Sequence, residues 1–425
     1  MPYIKTSGVR NVDFEKFGFR CLPLDTDPII DDTTLRDGVQ MPGLAVTPTD
    51  AAKIAKLLDE IGVERIELHH FQKPDRQAAK IIHKMGLQAS IAGWCRAVKE
   101  DVDNALDCEF ENIGISHPVS YIHFKAKWPE KSPEELIDRV IEVVEYAAKD
   151  HGLRVFVHGE DSTRADWNFE KKFINAVADA GAECYRICDT VGIGLSSVDA
   201  TLPIGIPAKI RAIKAETKIE NVEIHAHDDF GNAVENTLAA IRAASGVWQK
   251  IYASTTFLGI GERAGNAETE KVIMNLLMHH GVEKFENKIN KLKETADLIG
   301  KATGYVVPPN KAIVGDYAFA HESGIHTHGV LSNALTYEPY PPELVGNKRR
   351  LTIGKQSGKA IVKYMIEEIT GKTPGDEAAL NVLKKIKAIY AGGRKASLRD
   401  EEFRRLLRES GLLEKTNNNS VKKMP

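Results

Sequence analysis

The feature that most constrains the fold is a repeated unit. A short β-branched run is followed by an amphipathic Ala/Lys/Glu-rich stretch, eight times over, between residues 29 and 280. The pattern predicts strands at Ile29–Asp37, Val63–His69, Leu87–Trp94, Phe110–Ser116, Leu153–Glu160, Cys184–Thr190, Asn221–His227 and Lys250–Phe257. It predicts helices at Pro48–Ile61, Lys73–Met85, Val98–Cys108, Pro133–His151, Ala165–Ala180, Leu202–Glu216, Ala233–Ala244 and Thr269–His280. Thr47-Pro48 and Ser132-Pro133 pair an N-cap oxygen with a proline at the first helical position. Eight strand–helix units in about 250 residues are the arithmetic of an α/β chain closed as a (β/α)8 TIM barrel. The competing architecture is an open doubly wound sheet. Against it, no Gly-x-Gly-x-x-Gly follows the first strand.

The texture divides the chain into an N-terminal extension (1–28), the barrel (29–281) and a C-terminal helical subdomain (282–425). In the last part, Tyr305–Thr336 is rich in Gly, His and Pro, and Tyr340-Pro341-Pro342 reads as a linker turn. Leu351–Thr370 and Glu377–Ser410 read as helices, and the tail Asn417–Pro425 as polar and frayed. Lys and Arg number 57 against 60 Asp and Glu, a net charge of -3, which argues against a nucleic-acid partner. The apolar runs are far too short for a membrane span, and residues 1–20 have no secretory h-region. Five cysteines, an odd number, fit reduced thiols in a cytoplasm. Cys184 and Cys188 read as small apolar residues of a buried strand.

Barrel active sites lie at the C-terminal ends of the strands. Ionisable and glycine residues collect there: Arg36-Asp37-Gly38, Glu67 to His70, Arg96, His117, His158 to Asp161, Asp189-Thr190, His225 to Asp229, and Gly259–Asn266. His225-x-His227 is the sharpest signal, because residues i and i+2 of a strand share a face. Such a pair is either two core or surface histidines or a metal pair, and its place at a strand end favours metal. Asp37 is the natural carboxylate to complete the set, although Asp-Gly alone reads as a turn cap or an ion pair with Arg36. Asn266 is placed to add a carbonyl oxygen. Mixed N/O ligands suit Mn²⁺, Zn²⁺, Co²⁺ or Fe²⁺, with Mg²⁺ as a further choice. Gly259–Asn266 is either a backbone cradle for phosphate or carboxylate or a flexible connection. His321, His326 and His328 fit a second metal site, a proton-transfer histidine or loop composition, and periodicity does not choose.

Four ordered motifs between residues 29 and 360 resemble one family. Asp32-Thr33-Thr34-Leu35-Arg36-Asp37-Gly38-Val39-Gln40, His225 to Ala233, Gly259–Asn266 and His321-Glu322-Ser323-Gly324-Ile325-His326 are similar to the signatures of the acyl-CoA-dependent Claisen synthases. These are the homocitrate, isopropylmalate, citramalate and Re-type citrate synthases of the metal-dependent lyase barrels. The resemblance implies metal ligation by Asp37, His225 and His227 with Asn266 close by, and acetyl-CoA as co-substrate. It implies carbonyl polarisation by Arg36, an acid at Glu160, and a Thr190 hydroxyl on the substrate carboxylate. Glu67 would line the pocket, Gly261 and Arg263 belong to the third signature as cofactor-binding residues, and Tyr337 would stand near the site. His326 would transfer protons with Glu160, within a homodimer.

The branch is less fixed than the family. Leu68 to Asp75 departs from the family's usual text, and His158 stands where homocitrate synthases have Ser. Ile122-His123-Phe124-Lys125 looks more like the isopropylmalate branch. The strand ends nevertheless offer His69, His70, Arg96, His117, His123 and His158, where an isopropyl pocket would want Leu, Val or Phe. Unpaired polar groups against an apolar tail would cost roughly 1–3 kcal/mol each. A dicarboxylic 2-oxo acid, oxaloacetate or 2-oxoglutarate, is therefore expected, with Arg96 as the fork for its distal carboxylate and His158 in the substrate pocket. The alternatives are a monocarboxylic 2-oxo acid, a lyase or aldolase on the same barrel, and a catalytically silent metal-binding protein.

Overall fold

A computed structural model describes residues 22–414. Eight parallel strands close into a barrel in sequence order. They are β1 (Ile29–Asp32), β2 (Arg65–Leu68), β3 (Ser90–Arg96), β4 (Asn112–Pro118), β5 (Arg154–Glu160), β6 (Cys184–Asp189), β7 (Asn221–Ala226) and β8 (Ile251–Thr255). β1 pairs with β2 on one side and with β8 on the other, so the sheet has no edge. The outer ring is α1 (Pro48–Ile61), α2 (Lys73–His83), α3 (Lys99–Asp107), the short α4 (Tyr121–Lys127), α5 (Pro133–Glu145), α6 (Trp167–Ala180), α7 (Ile206–Glu216), α8 (Ala233–Ala244) and α9 (Thr269–His280).

The helix starts are built as their sequences dictate. The Thr47 hydroxyl accepts the Asp50 N–H at the head of α1, and Ser132 with Glu135 forms a capping box at the head of α5. The expected single helix Pro133–His151 changes pitch: α5 ends at Glu145 and a π turn, Tyr146–Asp150, follows. Strand ends also differ. β1 stops at Asp32 instead of Asp37, because the Thr33 carbonyl accepts the N–H groups of Arg36 and Gly38 and turns the chain.

Strand alternation sorts the barrel interior from its outer face. On β7, Val222 and Ile224 are buried and apolar, whereas Glu223 turns into the barrel to meet Arg65 and Arg186. Inside, Arg65 Nη2 reaches Asp31 at 2.9 Å and Glu223 at 2.6 Å. Arg186 Nη2 reaches Asp31 at 2.6 Å, Glu67 at 2.8 Å and Glu223 at 3.0 Å. These five residues form an ionic floor, with the Arg65 guanidinium 3.9 Å from the Phe156 ring centroid.

The chain divides into two compact units between Val307 and Pro308. The boundary expected at 281/282 thus lies short of α10 (Leu292–Thr303), which packs on α1 within the barrel unit. The second unit holds two short parallel strands, β9 (Ala320–His321) and β10 (Arg350–Leu351), and four helices. These are α11 (Gly324–Ser332), α12 (Lys359–Thr370), α13 (Asp376–Ala391) and α14 (Asp400–Glu409). Ile361, Val362, Ile366, Val382, Ile386 and Phe403 lie in its core. Two expected helices differ in the structure. Leu351–Thr370 becomes helical only at Lys359, after Gly354 and Gly358, and Glu377–Ser410 is two helices broken at Gly392-Gly393. Residues 1–21 and the expected frayed tail lie outside the described residues. Among the described residues no helix is long and apolar enough to cross a membrane.

Candidate active site

A cavity of about 530 Å³ opens at the C-terminal rim of the barrel. Its walls include Arg36, Asp37, His158, Glu160, Thr190, His225, His227 and Arg263, all singled out from the sequence. Asp37, His225 and His227 are buried and offer ligand atoms within 4.8 Å of one another. The two Nε2 atoms face each other at 3.2 Å, and His225 Nε2 lies 4.0 Å from Asp37 Oδ2. The Ser254 hydroxyl sits 3.0 Å from His225 Nδ1, so the other ring nitrogen can present its lone pair. Burial pushes both imidazoles toward the neutral, ligating form. Burial would raise the Asp37 carboxyl too, but the Arg36 guanidinium, with the Asn266 amide donating to it, holds it at about 2. Asn266 donates its amide to Asp37, and its Oδ1 is buried without a partner. Two neutral imidazoles, a carboxylate and an orphaned carbonyl oxygen are a donor set for a divalent cation.

Glycine matters where the loop after β8 approaches this set. A Cβ on Gly261 would stand 2.1 Å from the Asn266 amide nitrogen. Gly261 is therefore required by the Asn266–Asp37 contact, and it does not line the cavity. Gly114 is likewise required: a Cβ there would stand 2.3 Å from the His158 ring.

Arg36 is tied down on two sides. Nη1 reaches Asp37 at 2.8 Å and Nε meets Glu67. Glu67 is placed beneath Arg36, bonded also to Arg186, and is not part of the cavity wall, contrary to the pocket-lining role expected of it. Burial disfavours its charge, but Arg186 and Arg36 keep it well below the ordinary carboxylate range. Thr190 Oγ1 accepts the Asp161 N–H at 2.8 Å, so its own proton is left to donate into the cavity. Glu160 accepts from Lys127 Nζ at 2.9 and 2.7 Å and lies 3.3 Å from His123 Nδ1. These contacts outweigh burial and hold its carboxyl at about 2.

Arg96 does not have the free fork expected of it. Nε and Nη2 reach the two oxygens of Asp101 at 2.9 and 2.8 Å, so the bidentate face expected for a substrate is occupied within the chain. Arg263 lines the cavity but also pairs with Asp229, at 2.9 Å through both Nε and Nη2. Of the expected pocket histidines, His117 and His158 line the cavity, whereas His69, His70 and His123 do not. His70 bonds the Asp101 carbonyl at 3.0 Å. Cys188 does line the cavity, and burial pushes its thiol far up, away from the reactive thiolate. Cys95, Cys108, Cys184 and Cys188 are buried free thiols. His326 and Tyr337 belong to the second unit, with ring centroids 4.4 Å apart and both residues exposed.

Sequence reasoning missed Lys127, Trp128 and Arg139, which line the cavity from α4, the loop after it and α5. Two signals were available. Lys127 stands one helical turn after His123, and Arg139 falls at helical spacing between Leu136 and Val143 of the buried stripe.

A family model described as HMGL-like matches residues 27–299. The chain belongs to the HMGL-like family. A second model, homocitrate synthase post-HMGL domain-like, matches residues 313–394, in the unit that follows the HMGL-like barrel. The 2-isopropylmalate synthase of Methanocaldococcus jannaschii is 41% identical over 376 residues, 87% of this chain and 70% of that one. The (R)-citramalate synthase CimA of the same organism is 40% identical over 358 residues, covering 84% and 70%. Homocitrate synthase AksA of Methanopyrus kandleri is 39% identical over 410 residues, 96% of each chain. The HMG-CoA lyase of Bacillus subtilis superposes with a TM-score of 0.56 at 21% identity, over 68% of this chain and 97% of that one, a likeness of fold. The HMGL-like barrel thus belongs to a synthase of the homocitrate, citramalate and isopropylmalate group.

Proposed function

We propose that the chain condenses acetyl-CoA with a 2-oxo dicarboxylic acid, oxaloacetate or 2-oxoglutarate. Hydrolysis of the thioester then gives citrate or homocitrate and CoA. The observation that carries the reading is the Asp37–His225–His227 cluster beside Arg36 in a cation-rich cavity. A divalent metal bound there, Mn²⁺, Zn²⁺, Co²⁺, Fe²⁺ or Mg²⁺, would make the 2-oxo carbonyl electrophilic.

The chain's own residues supply the rest. Thr190 donates its free hydroxyl proton to the substrate carboxylate. Arg36, fixed by Asp37 and Glu67, is held without rotamer freedom to stabilise the developing alkoxide. Glu160 is a carboxylate at neutral pH, so it serves as acceptor or charge partner until a proton reaches it. His326 is the base that removes a methyl proton of acetyl-CoA in this reading. The reading takes the protein as a cytoplasmic homodimer.

A second reading has specific support. The relatives at 41% and 40% identity carry the names isopropylmalate and citramalate synthase, which favours a monocarboxylic 2-oxo acid. Thiol release from acetyl-CoA with equimolar 2-oxoglutarate, oxaloacetate, 2-oxoisovalerate and pyruvate decides between them. Faster release with a dicarboxylic acid is expected. A preference for 2-oxoisovalerate or pyruvate establishes the second reading, and no thiol release with any acid removes both.

A further inference from the structure

Six Lys and Arg side chains line the cavity, and five of them already face carboxylates. Arg36 pairs with Asp37 and Glu67, Arg96 with Asp101, and Lys127 with Glu160. Arg186 pairs with Asp31, Glu67 and Glu223, and Arg263 with Asp229. The sixth, Arg139 on α5, is the one cavity cation without an ion pair among the described residues. It is half-buried, and its guanidinium lies 5.8 Å from the centroid of the Trp128 ring. Trp128 in turn stacks parallel on His117, with centroids 5.1 Å apart and planes 1° from coincidence. His117 is 3% exposed and bonds the Pro118 carbonyl through Nδ1 at 2.8 Å, and its Nε2 is buried without a partner.

This lobe has an address in the barrel. It follows β4, which in a closed ring of eight strands lies opposite β8 and is flanked by β3 and β5. The candidate metal ligands follow β1 and sit at the end of β7, with Asn266 in the loop after β8, on the other side of the mouth. Both sets line the same cavity, so a ligand held at the metal set by its 2-oxo acid end shares that cavity with Arg139. A lone guanidinium there, 5.8 Å from an indole centroid, is a receptor for an anionic group.

We propose that Arg139 is the specificity-determining residue that binds the second acid group of the 2-oxo acid. Trp128 is the aromatic face beside its guanidinium. The assignment rests on the condensation reading above and replaces Arg96, whose fork is closed by Asp101. It makes selectivity a property of one side chain on an outer helix, while the reacting end of the substrate is handled by the strand ends.

The test measures kcat and KM for 2-oxoglutarate, oxaloacetate, 2-oxoisovalerate and pyruvate, and KM for acetyl-CoA. It compares the unmodified protein with Arg139→Met and Arg139→Lys, and the same acids are titrated calorimetrically in parallel. Arg139→Met is expected to raise KM for the preferred dicarboxylic acid about 10- to 100-fold, the worth of a lost charged hydrogen bond. Arg139→Lys, which keeps the charge and loses the fork, is expected to fall between. The KM for acetyl-CoA is the internal control for folding and is expected to hold. An unchanged dicarboxylic KM in Arg139→Met overturns the assignment and leaves the condensation reading standing. A rise confined to acetyl-CoA also overturns it and moves Arg139 to the CoA phosphates. An unmodified protein that prefers a monocarboxylic acid overturns both the assignment and the dicarboxylic preference. One that binds no 2-oxo acid in the calorimeter overturns the assignment together with the condensation reading.

Discussion

Two carboxylates at the rim are kept ionised against the pull of burial. Asp37 is held at about 2 by Arg36 and the Asn266 amide, and Glu160 at about 2 by His123 and Lys127. Both values lie below that of an unfolded carboxyl, so the stabilisation they bring is complete above roughly pH 4 and is lost as the pH falls toward 2. Lys127→Met removes two hydrogen bonds and one charge from Glu160. The acid limb of the kcat/KM profile is expected to move to higher pH in this variant. An unmoved limb would show that Glu160 does not titrate in the rate. His227→Ala is expected to lose bound metal, since even outer partners of a metal typically matter about 10–100-fold in affinity or activity. Metal analysis of the purified variant checks this, and a full complement would remove His227 from the ligand set. The Asp37–His225–His227 cluster was legible because a strand repeats every second residue and barrel sites sit at strand ends. Arg139 and Trp128 were not, because a reading of strand ends passes over the helices and loops that follow them. Arg96 misled because its partner, Asp101, comes from the first turn of the next helix.

At the scale of elements, the exit of β5 is clamped from outside the barrel. Lys209 on α7 donates to Glu170 on α6 and, at 2.6 Å, to the Ser162 carbonyl. Glu170 also accepts from the Ser162 hydroxyl and, at 2.8 Å, from Tyr185. Both charged side chains are fully buried. Lys209→Met leaves the Glu170 charge uncompensated, which typically costs about 3–5 kcal/mol. A lower urea midpoint is expected, with partial recovery in a Lys209→Met, Glu170→Leu double variant. Equal midpoints for the unmodified protein and Lys209→Met would show that the pair is not what holds the loop. The helix bounds Pro48–Ile61, Ala233–Ala244 and Thr269–His280 could be read from sequence because the apolar periodicity is clear there, supported at Pro48–Ile61 by the Thr47 cap. The end of β5 at Glu160 could be read too, but those of β1 and β8 could not, because threonines favour strands wherever they fall. Thr34 and Thr256 instead use their hydroxyls on loop backbone, at 2.7 Å to the Phe257 N–H and 2.7 Å to the Ile260 carbonyl.

For the whole molecule, the ionic floor gives stability a pH dependence of the opposite sign. Burial, opposed by Arg65, raises the Asp31 carboxyl from 3.8 to about 7. Between those values the native chain holds a proton that the unfolded chain has lost, so stability falls as the pH rises through that window. Thermal unfolding is expected at a lower temperature at pH 8 than at pH 5.5, with a flatter profile in Asp31→Asn. A profile of equal slope in both proteins would clear Asp31. The two-unit organisation carries a separate expectation. His326→Ala is expected to keep its metal and its calorimetric affinity for the 2-oxo acid while condensation drops by about a hundredfold or more. Normal turnover would release His326 from the mechanism. The barrel as a whole was legible from its eight-fold period, whereas the floor was not, because Asp31, Arg65, Glu67, Arg186 and Glu223 lie far apart in the chain and meet only when the ring closes.

That floor also shapes how a lineage with this barrel can change. Five ionisable side chains from four strands pair with one another, so replacing any one of them leaves its neighbours without that partner in the interior. Intermediates on any stepwise route out are less fit than either end, a valley that drift crosses only by coupled substitutions. On the side of the mouth after β4, Arg139 stands outside any ion pair among the described residues. Innovation in what the protein accepts is free to proceed there, one codon at a time, above a foundation that is inherited whole.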